Sequence, residues 1–122
     1  MNLKVYGEHY AICRLTSDAM FPTWAKGKFV SITRTEDELS IVCKQETVPK
    51  NIRCERDWCI LQVEGPMDLY MVGVLASLTK PLAEAGINLF AVSTFDTDYL
   101  LVKAQRLEAA KVALENAGHT VQ

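Results

Sequence analysis

The chain has 122 residues, 49% of them apolar and 23% charged, enough for the core of one compact domain or of two very small ones sharing a core. A formal charge of −2 and a pI near 5.7 leave no basic excess to neutralise phosphates, which argues against a nucleic-acid or anionic-membrane partner. The opening MNLKVYGEHY has no basic segment followed by a long apolar one, and no window approaches a membrane span, so a cytoplasmic protein is expected.

In chain order, YAICRL (10–15) reads as the first strand. SDAMFPTW then offers a helix start at Ser17 or Asp18 that Pro22 and Gly27 keep short. KFVSITRT and LSIVCK follow as strands, whereas QETVPKNIRCERD shows no clean helical period and is interrupted by Pro49. WCILQVEG (58–65) is a β-rich run closed by Gly-Pro. After it Met71, Leu75, Leu78, Leu82 and Ala85 recur at helical spacing, with a kink expected at Pro81 and a C-cap at Gly86. Strands at 87–94 and 98–103 flank a tight acidic link. Leu107, Ala110, Leu114 and Ala117 then mark a second helix, stopped by Gly118, and HTVQ supplies a short last strand.

The second half is thus β-α-β-β-α-β, the ferredoxin-like order, and the first half is a blurred copy of it. Setting Lys44 against Lys103 aligns TEDELSIVCK with TFDTDYLLVK, which puts Thr35 on Thr94, Asp37 on Asp96 and Leu39 on Asp98. The expected fold is α+β: two tandem ferredoxin-like half-domains, 1–57 and 58–122, the first degenerate, each an antiparallel sheet with helices on one face.

This path carries the strand 58–65 to the end of the sheet where the first helix starts, and brings the link 95–98 back to the same end. A helix N-terminus exposes amides that favour an anion, while Asp96 and Asp98 favour a cation. A free amino acid carries both charges: its carboxylate could meet the amides around Gly73, where the absence of Cβ permits close approach, and its ammonium could meet Asp98. Asp at a hairpin also satisfies nearby amides as an Asx-turn, and Thr94 can do the same. Asp96, repeated as Asp37, reads as the shared turn former; Asp98, repeated as Leu39, reads as the ligand residue.

Other chemistries have thinner support. Cys13, Cys43, Cys54 and Cys59 read as reduced thiols, because no export signal is present and no second pair stands at zinc-ligand spacing. Asp68, Asp96 and Asp98 lack a calcium-loop spacing, so no metal is expected. His9 and His119 have no partner that the sequence places within reach, and the six scattered glycines form no phosphate loop; neither catalysis nor a cofactor is expected. RNA-binding domains share the strand and helix order, but FVSITRT and NLFAVST lack their aromatic cluster.

The stretch VGVLASLTKPLAEAGINLFAVSTFDTDYLLVK resembles the core of the ACT domain superfamily, small ligand-sensing modules attached to amino-acid biosynthetic enzymes. Together with SITRTEDELSIVC, it is similar to a compact bacterial family of stand-alone tandem ACT proteins. These are related to the ACT domains of aspartate kinases and of the eukaryotic arginine sensor. The resemblance implies a non-catalytic module binding an amino acid at a domain or subunit interface. It implies contacts from Thr94, Phe95 and Asp98 and from the loop backbone at Val72, Gly73 and Val74. The usual ACT loop has an acid closely followed by Pro-Gly, whereas LYMV separates Asp68 from Gly73 here, and the first half has no Gly-Val-Leu helix start. A homodimer is therefore expected to complete the pocket, with a regulated protein as a further partner. The rival reading is the same fold used without a ligand, for assembly alone.

Overall fold

The computed structural model describes residues 1–65 and 72–122. The strands are β1 (Asn2–Val5), β2 (Tyr10–Leu15), β3 (Ser31–Arg34), β4 (Leu39–Lys44), β5 (Cys54–Val63), β6 (Phe90–Ser93), β7 (Asp98–Lys103) and β8 (Thr120–Val121). The helices are α1 (Val74–Glu84) and α2 (Leu107–Asn116), and the class is α+β. The chain forms two compact units, Glu8–Trp58 and Met1–Gly7 with Cys59–Gln122.

In the unit Glu8–Trp58 the strand order is β3-β4-β2-β5, and every neighbouring pair is antiparallel. Ala11, Cys13, Leu39, Ile41, Cys43 and Val48 form its core. The short helix expected from Ser17 or Asp18 does not form. Pro22 offers no amide to the Asp18 carbonyl, and the Arg34 guanidinium donates to the carbonyls of Ser17 and Ala19, which a helix would use internally. The second helix of the repeat is reduced to a 3₁₀ turn at Gln45–Thr47. Irregular segments cover the core instead, with Trp24, Ala25 and Ile52 packed on it. Close approach makes Gly27 necessary here: a Cβ would lie 2.9 Å from the Lys44 Cβ, where the Lys44 amide bonds the Lys26 carbonyl.

The other unit has the order β6-β7-β5-β1-β8. It is a ferredoxin-like β5-α1-β6-β7-α2-β8 arrangement with one insertion that the sequence does not announce. β1 stands between β5 and β8, antiparallel to the first and parallel to the second. Alternation along the strands sends Leu3, Leu61, Val63, Leu100 and Val102 to one face, where Val74, Leu78 and Leu82 of α1 and Ala110 and Leu114 of α2 cover them. Leu78→Ala in this fully buried layer would cost about 2–5 kcal/mol. Pro81 lies inside α1, which continues to Glu84. The helix then closes through Gly86 N–H to Ala83 and Ile87 N–H to Leu82. Met71, expected to open this helix, lies outside the described residues.

The two halves repeat one plan. β4 and β7 are both six residues long with the same order of buried and half-buried positions, and each leads into a 3₁₀ turn. The chain is thus a tandem of ferredoxin-like halves, of which the first has lost its helices.

Candidate ligand site

Thr94–Thr97 closes the β6–β7 hairpin. The Thr94 amide donates to the Thr97 carbonyl at 2.9 Å. The Thr94 hydroxyl lies 3.1 Å from the same carbonyl and 3.4 Å from the Thr97 amide. The side-chain oxygen of this turn therefore belongs to Thr94 rather than to Asp96. Thr97 is buried, and its hydroxyl donates to the Val63 carbonyl at 2.7 Å, which ties the turn to the last residue of β5.

Asp98, the first residue of β7, is only 9% exposed. Across the hairpin from it stands Ser93, whose hydroxyl donates to Asp98 Oδ1 at 2.6 Å, the short length typical of a hydrogen bond to a carboxylate. Among the described residues, Asp98 takes part in no ion pair. A carboxylate so far withdrawn from water costs free energy unless charge or hydrogen bonds compensate it, and one hydroxyl is partial compensation. Phe95 stands at the tip of the turn with its ring 80% exposed.

The remaining expected site residues lie at the start of α1. Gly73 is the N-cap in a left-handed conformation (φ 82°), and among the described residues nothing lies within 4 Å of where a Cβ would stand. Among the described residues no side chain caps this helix end, and no acid lies in its first turn. Val74 packs its side chain into the core and can offer only its backbone, while the Val72 side chain is exposed. The hairpin thus gathers Thr94, Phe95 and Asp98 in one turn, anchored to the end of β5, and Val72–Val74 forms a second group at the start of α1. Ser93 and Thr97 were not singled out from sequence. A four-residue turn from Thr94 to Thr97 pairs 93 with 98 by register, and that signal would have found Ser93.

Elsewhere the polar side chains largely satisfy one another. A cleft of about 500 Å³ is lined by Glu8, His9, Lys44, Gln45, Glu46 and Arg56, but Lys44 Nζ lies 2.6 Å from Glu46 and 3.2 Å from Glu8. His9 pairs with Asp57 at 3.6 Å, and His119 lies 3.0 Å from the Ser77 carbonyl through Nε2 and 3.0 Å from the Met1 amine through Nδ1. Among the described residues no group of three His, Cys, Asp or Glu side chains could hold a metal ion; Asp68 lies outside them. Nor is any described helix long and apolar enough to cross a membrane.

Comparison with known proteins agrees with this architecture. The ACT domain model matches residues 53–116, more than half of the chain, and a model for an N-terminal domain matches residues 8–51. The chain belongs to the ACT domain family. A crystal structure of a protein from Agobacterium tumefaciens is similar over 99% of this chain and 91% of its own, with 43% identity and a TM-score of 0.94. The ligand-free regulatory subunit of aspartate kinase from Thermus thermophilus shares the fold, at 16% identity and a TM-score of 0.63, with 95% and 96% of the two chains covered. Subunit 1 of the bovine (Bos taurus) cytosolic arginine sensor for mTORC1 is 27% identical over 97 residues, 70% of this chain and 30% of that protein. The chain therefore spans about a third of the length of that relative.

Proposed function

We propose that this chain is a non-catalytic regulatory module that senses a free amino acid in the cytoplasm. The single observation that carries the reading is Asp98, a buried carboxylate bonded to the Ser93 hydroxyl and paired with no cation among the described residues. An α-ammonium group supplies the missing charge and donors. The amides at Gly73 and Val74 supply a counterpart for the α-carboxylate, with Val72 and Thr94 flanking it and Phe95 covering the ligand from the turn tip. Membership of the ACT family and the name of the arginine-sensing relative support the ligand class. The pocket is completed in a symmetric homodimer, and binding is coupled to that assembly or to a regulated protein partner.

Thermal denaturation with each of the twenty amino acids at millimolar concentration tests this. A ligand at a hundred times its Kd adds about 2.7 kcal/mol, which raises the melting temperature by about 10 °C. The expected result is a rise for one amino acid or a small related set, lost in Asp98→Ala. No rise with any of the twenty rejects the reading and leaves the ligand-free assembly module.

A further inference from the structure

Three of the four cysteines belong to one cluster in the unit Glu8–Trp58. Cys13 lies on β2, Cys43 on β4 and Cys54 on β5, the strands on either side of β2. Cys13 and Cys43 are core residues, and Cys54, half-buried, packs against the same core. All three are free thiols.

The register fixes which pair stands directly opposed. Cys13 and Cys54 stand directly opposite each other across β2 and β5. The next pair along, Arg14 and Arg53, is joined by the Arg14 N–H to Arg53 carbonyl bond at 3.0 Å. Bonded and non-bonded pairs alternate in an antiparallel ladder, so Cys13–Cys54 is a non-hydrogen-bonded pair. Opposed Cα atoms in such pairs stand about 4.5 Å apart, inside the range a disulfide spans. Cys43, by contrast, stands opposite Ala11, diagonal to Cys13.

We infer that Cys54 and Cys13 form a reversible cross-strand disulfide when a hydroperoxide oxidises Cys54. Cys54 is the entry point because it alone of the three is partly exposed. Its thiolate attacks one peroxide oxygen, the O–O bond breaks, a sulfenic acid forms, and the departing oxygen takes a proton to leave as water or an alcohol. The Cys13 sulfur then attacks the Cys54 sulfur. The S–O bond breaks, and the departing hydroxide takes up the Cys13 proton to leave as water. Two thiols lose two electrons in all, and the peroxide gains them.

The Cys43 neighbour and burial push the Cys13 thiol up, so Cys13 stays protonated and Cys54, the partly exposed thiol, meets the oxidant first.

Treating the full chain with excess hydrogen peroxide, alkylating without reduction and digesting with trypsin tests this directly. Each cysteine falls in its own tryptic peptide: residues 5–14, 35–44, 54–56 and 57–103. The expected product is peptide 5–14 joined to 54–56, released by dithiothreitol and unchanged in Cys59→Ser. The same product forms in Cys43→Ser. Linkage of Cys54 to Cys59 or of Cys13 to Cys43, or Cys54 driven to sulfinic acid without a crosslink, overturns the inference.

Discussion

At the top of one hairpin Arg34 stands opposite Leu39; at the equivalent place in the other, Ser93 stands opposite Asp98. The turns above them use one chemistry. The Thr35 amide bonds the Glu38 carbonyl and the Thr94 amide bonds the Thr97 carbonyl, both at 2.9 Å, and each threonine hydroxyl approaches the amide three residues on. What differs is what the scaffold carries. Leu39 is fully buried in its core, and Arg34 turns to the Ser17 and Ala19 carbonyls and the Phe21 ring, fastening the segment that replaced a helix. Ser93 and Asp98 instead put a hydroxyl and a withdrawn carboxylate at that place. One copy has spent the position on holding itself together, and the other has kept it for charge.

Exchanging residues between the copies breaks this comparison most sharply. Leu39→Asp places an unpaired charge in a closed core and is expected to lower stability by about 3–5 kcal/mol in urea unfolding. Asp98→Leu relieves a carboxylate of partial burial, changes stability by about 1 kcal/mol or less, and abolishes stabilisation by the amino acid. Thr97→Val leaves the Val63 carbonyl without its donor and costs about 1–3 kcal/mol by the same measurement, an effect with no counterpart at Glu38 in the other turn. Thr94→Ala and Thr35→Ala, both at exposed turn positions, should each cost about 0.5–1 kcal/mol and match one another closely. Phe95→Ala is the smallest: with 80% of the ring exposed, stability should hold within about 0.5 kcal/mol while the ligand-induced rise in melting temperature shrinks.

These contrasts also mark how far the sequence could be read. The helix through Leu78 and Leu82, its stop at Gly86 and the β6–β7 hairpin were legible because period and turn chemistry are local. The alignment of Thr35 with Thr94 likewise anticipated two equivalent turns, although threonine rather than aspartate supplies the turn oxygen in both. The missing helix after β2 was harder to foresee, since the competing acceptor for its carbonyls, Arg34, arrives from another strand. β1 escaped altogether. NLKV is four residues long, and its place between β5 and β8 depends on pairing with residues more than fifty positions away, which no local pattern encodes. Ser93 and the Cys13–Cys54 pair share that character, being products of register rather than of motif.

A two-by-two calorimetric titration isolates the proposed contact between Asp98 and the ammonium group of an amino acid. The stabilising amino acid and its analogue lacking the α-amino group are each titrated into the unaltered chain and into Asp98→Asn. Removing either charge is expected to weaken binding by tenfold or more, and removing both to weaken it little further, because one interaction has been deleted twice. Losses that simply multiply, or an Asp98→Asn protein that still prefers the amino acid over its analogue as strongly as before, would contradict it.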